Sequence, residues 1–251
     1  MSPGSFLYAK RVELSVERWP WPFAEERRSD IAQFFSRQRR ENPALWNGKL
    51  LLLRELSLAQ DVLRGSLFKT NYASLLAAAE WGALGEAVRA SFGAAALLAS
   101  DEAFIVGRMA SYTRNAGQVS FPSGSFDPAD VKGEEVDVGS SILRELEEET
   151  GLRPDEVDPQ PGWCVVSAGP CVAVFKIVRA REPAARLRHR ILANLTTQTQ
   201  PELADILVIR GREDVDSRMP AWMQIFLAQF RQPGTVHAKG PSRPVEPAID
   251  R

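Results

Sequence analysis

The chain announces its elements by changes in the period of its apolar positions. Val12-Glu13-Leu14-Ser15-Val16 alternates, the two-residue period of a half-buried strand. The runs 49–56 (KLLLLREL) and 60–69 (QDVLRGSLFK) read as two further strands, with Asn47-Gly48 as the turn signal beside them. Residues 93–99 and 103–108 predict a hairpin that turns at Ser100-Asp101-Glu102. Strands are also predicted over 163–167, 172–178 and 204–209. Helices are predicted over 23–40, 72–90, 183–195 and 219–230. The second is alanine-rich, and Gly82 and Gly85 inside it imply a break or close packing. Trp19-Pro20-Trp21-Pro22 forces an extended segment whose tryptophans are expected to pack between layers. From Arg231 on, proline, glycine and charge predict a disordered tail.

One stretch organises the rest. Residues 139–152 (GSSILRELEEETGL) read as a helix with two faces. Ile142, Leu143 and Leu146 give an apolar stripe, while Glu145, Glu148 and Glu149 recur at i, i+3 and i+4 on another face. Gly151 follows the last turn and suits a left-handed cap. The three glutamates repel one another, and they sit where the helix dipole disfavours negative charge. Arg144 reaches Glu148 at i+4, but one cation does not neutralise three carboxylates. Hard divalent cations such as Mg²⁺ take oxygen ligands from a few carboxylates plus substrate phosphates.

Arg144-Glu145-Leu146-Glu147-Glu148-Glu149-Thr150-Gly151-Leu152 fits REUXEEXGU, where U is aliphatic, with every fixed position filled. This is the helical half of the Nudix box, and the chain resembles a Nudix hydrolase. The loop half departs from the usual GX5EX7RE. Asp130 stands at the glycine position and Val136 at the glutamate position. A loop glycine, Gly124, lies about six residues early in Phe121-Pro122-Ser123-Gly124, as if DPADVKGEEVD carried an insertion. Glu134, Glu135 and Asp137 are the candidates to stand in for the missing acid.

The resemblance implies an α/β/α sandwich of Nudix type with a mixed sheet, preceded by a small α+β region. The expected division is 1–92 for that region, 93–232 for the Nudix domain and 233–251 for the tail. It implies metal ligation by Glu145, Glu148, Glu149 and the Gly124 carbonyl, with Arg144 orienting the network and Glu147 solvated. Glu202 matches the distal carboxylate that serves such enzymes as metal ligand or water-activating base, with Asp205 its rival. Arg108 and Arg114 fall where the family contacts substrate phosphates or the nucleobase. The segments WNGKLLLL, KTNY and WG further resemble two-domain Nudix hydrolases that split UDP-sugars. Gly117 to Pro122 resembles the GX3FPGG segment of coenzyme A-type members, with Ser123 in place of a glycine.

Composition narrows the picture without redirecting it. At 251 residues, 44% hydrophobic and 25% charged, the chain is long enough for one large domain or two smaller ones. A net charge of −1 gives no global attraction to nucleic acid or anionic membrane. No apolar run approaches the roughly 20 residues that span a bilayer, and the N-terminus lacks a signal-peptide core, so the expected location is the cytoplasm. The two cysteines, Cys164 and Cys171, flank a turn and are expected as unbonded small residues. His189 and His237 lie at no zinc-ligand spacing from them.

The expected activity is Mg²⁺-dependent hydrolysis, with Mn²⁺ as substitute metal, of the pyrophosphate bond in a nucleoside diphosphate joined to another group. A nucleotide-sugar is the leading substrate. A coenzyme A-type diphosphatase is the runner-up, and a non-hydrolytic nucleotide-binding regulator is the rival of another class. The expected partner is that small molecule alone, with no nucleic acid and no membrane.

Overall fold

The computed structural model describes residues 4–85 and 87–230, so the expected tail lies outside the described residues. Fourteen strands form one mixed sheet. In chain order they are β1 (Ser5–Ala9), β2 (Arg11–Glu17), β3 (Lys49–Ala59), β4 (Val62–Asn71), β5 (Arg89–Leu98), β6 (Phe104–Met109), β7 (Val119–Ser120), β8 (Ser123–Ser125), β9 (Val131–Lys132), β10 (Glu135–Val136), β11 (Val157–Pro159), β12 (Trp163–Ala168), β13 (Cys171–Ala180) and β14 (Leu203–Ile209). The helices are α1 (Pro22–Glu26), α2 (Arg28–Glu41), α3 (Tyr72–Glu80), α4 (Val138–Thr150), α5 (Ala184–Leu195) and α6 (Ala221–Gln229).

The sheet runs β1-β12-β13-β5-β3-β4-β2-β10-β9. β5 is its hub. It pairs in parallel with β13 along one edge and antiparallel with β3, β8 and β6 in turn along the other. The period of two then sorts side chains between layers. Ala95, Leu97, Val165 and Val174 face a core that takes Ile142 and Leu146 of α4 and Leu187 and Ile191 of α5. Ala94, Ala96, Val166 and Phe175 face the other side, against Met223 and Phe226 of α6. Helices thus cover both faces of a mixed sheet, the α/β/α layering expected. Among the described residues no helix is long and apolar enough to cross a membrane.

The expected boundary at 92/93 falls inside β5, and the sheet continues across it. β1 pairs with β12, β3 with β5, and β2 with β10, so strands from both sides of residue 92 share one hydrogen-bonded surface. Three further expectations change in detail. The helix expected over 23–40 breaks at Arg27, whose guanidinium lies 4.2 Å from the Trp81 ring centre. The helix expected to run to residue 90 stops at Glu80, and Gly82 turns the chain with φ +67°. The β3–β4 turn is Gln60-Asp61, with φ of 51° and 60°, rather than part of a strand. Two left-handed residues make the mirror-image turn that suits strand twist. Asn47 serves elsewhere: its side-chain oxygen accepts the Ala73 N–H at 2.8 Å. Trp19 and Trp21 pack edge-on to Phe68 at 4.7 and 5.6 Å, as expected of tryptophans between layers.

The apparent insertion is a small hairpin. β9 and β10 turn at Gly133, with φ +68°, and β10 adds to the edge of β2. The Val16 N–H donates to the Glu134 carbonyl at 2.8 Å. The hairpin ends at Asp137, which starts α4. Its carboxylate accepts the Ser140 N–H at 3.0 Å and the Ser140 hydroxyl at 2.8 Å, and pairs with Lys132. Gly151, with φ +74°, closes the helix by donating to the Glu147 carbonyl at 2.7 Å. Between these caps Ile142 sits so close to β5 that a Cβ at Gly93 would fall 2.5 Å from its Cγ1.

The Lys132 ammonium and then the Ser140 N–H hold the Asp137 carboxyl down at about 2. A depressed folded value means that the stabilisation is full above the unfolded value of about 4 and is lost as pH falls through about 2. Asp137→Ala is expected to cost about 1 kcal/mol in urea unfolding at pH 6, the usual cost of an N-cap. Urea titrations of both proteins at pH 6, 4 and 2.5 should show that difference shrinking as acid is added. A constant difference would remove Asp137 from this role.

Candidate active site

α4 carries three glutamates to three different environments. Glu149 falls on the buried side of the helix, 7% exposed, beside the apolar stripe. Its carboxylate accepts the Ser123 N–H at 3.2 Å. Burial pushes its pKa well above the usual carboxylate value, and the charges of Glu202, Glu145 and Glu148 add to the push. Glu145 is partly buried against β8. A Cβ at Gly124 would fall 2.1 Å from its Cδ, so only glycine leaves room for the carboxylate there. Burial pushes Glu145 up to about 7, against the opposing pull of Arg144. Glu148 is the exposed member, and Glu147 is exposed as expected.

Arg144 gathers the acids. Its guanidinium lies 2.8 Å from Glu145, 3.2 Å from Glu148 and 3.0 Å from Asp130. Asp130 is buried and fully engaged: one oxygen accepts the Asp127 N–H at 3.0 Å and the Ser141 hydroxyl at 2.9 Å, the other the Arg144 guanidinium. The acid behind Arg144 is therefore Asp130, correcting the expectation of Glu134, Glu135 or Asp137. The first two are exposed on the β9–β10 hairpin, and the third caps α4. The sequence did hold a signal. Asp127-Pro128-Ala129-Asp130 is a capping box on a one-turn 3-10 helix, a motif whose second acid reaches back to the N-cap N–H.

The remaining candidates divide. Glu202, just before β14, is exposed, and its charge bears on Glu145 and Glu149. Asp205 is otherwise occupied: it lies 3.3 Å from Arg188 and 3.9 Å from Arg108, and it accepts the Ile206 N–H at 2.8 Å. That places Arg108 in an ion pair on β6. Arg114 lies instead by the Tyr72 hydroxyl at the start of α3. A cleft of about 190 Å³ has Trp46, Gly48, Lys49, Tyr72, Ser125 and Asp127 in its walls. Trp46 is 81% exposed, unlike Trp21. Cys164 and Cys171 are free; in the β12–β13 register they oppose Phe175 and Ala168, not each other. His189 is exposed on α5.

Among the described residues no three His, Cys, Asp or Glu side chains already converge on one point as a metal-binding group. What the site offers is two carboxylates with pKa raised by burial, a third held by arginine, and a glycine backbone against Glu145. These are hard oxygen donors, the type that Mg²⁺ and Ca²⁺ select.

No family model and no curated protein matches this sequence. Among solved structures, the chain is similar to the Nudix hydrolase RenU from M. smegmatis, at 13% identity over 56% of this chain and 81% of that one, with a TM-score of 0.37. It is similar to the MutT protein of Methanosarcina mazei Go1, at 16% identity over 56% of this chain and 91% of that one, TM-score 0.38. A third is the Bacillus subtilis pyrophosphohydrolase BsRppH, at 15% identity over 54% and 73%, TM-score 0.33. What the site can do follows from its own residues.

Asp130→Asn keeps the shape but removes one acceptor oxygen from three donors. It is expected to cost roughly 1–3 kcal/mol, the usual cost of an unsatisfied buried group. Urea unfolding at pH 7 measures it; a variant as stable as the parent would show that Arg144 does not depend on Asp130.

Proposed function

We propose that the chain is a Nudix-type, divalent-metal-dependent hydrolase of a nucleoside diphosphate joined to another group, most simply a nucleotide-sugar. The observation that carries this reading is that β8 meets two buried acids of α4, Glu145 against Gly124 and Glu149 at the Ser123 N–H. Two like-charged carboxylates held out of water are costly unless protonated or paired with a cation. A structural protein gains nothing by that arrangement. A site for a hard divalent cation does.

Mg²⁺, or Mn²⁺ in its place, would be held by Glu145, Glu148, Glu149 and the Gly124 carbonyl. Such an ion neutralises adjacent phosphates and raises the acidity of water. The chain's own groups do the rest. Arg144, backed by Asp130, sets the rotamers of Glu145 and Glu148. Glu202 is free of ion pairs among the described residues and takes the proton of the attacking water. The water adds to one phosphorus, the bridging oxygen leaves with its electron pair, and two monophosphates result.

The nucleotide-sugar reading is supported by where its segments lie. Trp46, Gly48 and Lys49 of WNGKLLLL and Tyr72 of KTNY wall one cleft together with Ser125, the residue after Gly124. An exposed indole, a phenol and an ammonium suit a base and a phosphate. Phe121 of the segment shared with coenzyme A-type enzymes is buried among Phe104, Phe175 and Phe226, where packing accounts for it.

A hydrolysis screen with Mg²⁺ over UDP-glucose, UDP-galactose, ADP-ribose, NADH and coenzyme A, read by product mass, tests the reading. UDP-sugars are expected to give UMP and a sugar 1-phosphate, and EDTA to stop the reaction. Glu148→Gln is expected to lose about a hundredfold or more in kcat, like other losses of transition-state electrostatics. Near-parental turnover in that variant would withdraw the role of Glu148. Nucleotide-induced melting shifts without any product would favour a binding module instead.

A further inference from the structure

Residues 110–118 join β6 to β7 and are closed on themselves. The Thr113 hydroxyl donates to the Ala110 carbonyl at 2.8 Å, and the Gly117 N–H to the Met109 carbonyl at 3.0 Å. Outward bonds leave this loop in two directions. Towards β14, the Ala110 N–H donates to the Glu202 carbonyl at 2.8 Å, and the Tyr112 hydroxyl donates to the Pro201 carbonyl. Two successive carbonyls, of Pro201 and of Glu202 itself, are thus gripped by one loop, and the charge of the Glu202 carboxylate bears on Glu145 and Glu149. Towards α2, the Asn42 amide donates to the Tyr112 carbonyl at 3.1 Å, and its oxygen accepts the Ala44 N–H at 3.1 Å. Asn42 therefore also shapes the turn that leads to Trp46.

We propose that Tyr112 is a positioning residue that holds Glu202 against the carboxylate cluster, and that Asn42 links this hold to the turn carrying Trp46. The inference rests on the hydrolase reading above. The Glu202 carboxylate has no cation to fix it among the described residues, so its place is set through its backbone. Tyr112 supplies the side-chain bond that does so. The cleft and Glu202 stand on opposite ends of the chain Trp46 turn–Asn42–Tyr112–Pro201. Binding in the cleft is then used to orient Glu202, which raises kcat rather than lowering KM alone.

The test uses the full-length chain with Tyr112→Phe, Glu202→Gln, the double variant and Asn42→Ala. Mn²⁺ affinity is read from the electron paramagnetic resonance of free Mn²⁺, and kcat and KM on the substrate found by the screen. Glu202→Gln is expected to weaken Mn²⁺ binding about threefold or more, since it removes a charge beside the site. Tyr112→Phe should weaken it in the parental background and change nothing once Glu202 is Gln, the signature of action through one group. Its kcat should fall about tenfold with KM within about twofold, the usual sensitivity to a misplaced group. Asn42→Ala should show the same split to a smaller extent. Equal effects of Tyr112→Phe with and without Glu202, or parental values in any of the three single variants, would overturn the proposal while leaving the hydrolase reading in place. A parental protein that binds no Mn²⁺ would remove both.

Discussion

Two carboxylates taken out of water along one helix set the terms for the rest of this structure. Glu145 and Glu149 have raised pKa because burial disfavours their charged forms, and each also feels its neighbours. Nothing in helix propensity calls for such a pair; α4 tolerates it because both ends of the helix are secured. Asp137 and Gly151 satisfy the termini, and Ile142 and Leu146 dock against β5. Arg144 supplies positive charge beside Glu145, and Asp130 holds its far side. The glycine at 124 follows from the same constraint, since any side chain there would displace Glu145.

Much of this was legible from local pattern. The box helix, its glycine cap and the hairpin at Ser100 to Glu102 come from periodicity and turn chemistry acting within a few residues. What was not legible depends on distant partners. Asp130 reads in sequence as a misplaced glycine; its burial depends on Ser141 and Arg144 one helix turn apart on α4. The β9–β10 hairpin is two residues a side, too short to show alternation, and it exists because β2 offers an unpaired edge. The Gln60-Asp61 turn was missed because neither residue is glycine, and the strands impose the left-handed geometry.

The six tryptophans show how little residue type alone decides. Trp19 and Trp21 are spent on packing against Phe68, as expected from the proline-bracketed segment. Trp46 belongs to the same region and lies open on the wall of the cleft, folded over Gly48. The N-terminal region thereby furnishes both core and cleft, which is why its strands are woven into the sheet rather than appended to it.

That weave has a consequence for how the chain is made. Ser5 pairs with Ser167 and Tyr8 with Cys164, so β1 has no partner until β12 has left the ribosome. At roughly 5–20 residues per second, a strand carrying Phe6 and Leu7 waits on the order of ten to thirty seconds for its place. Non-local pairing of this kind slows folding in general. β1 is thus covered late, and expression of this protein should respond to chaperones that shield exposed apolar strands.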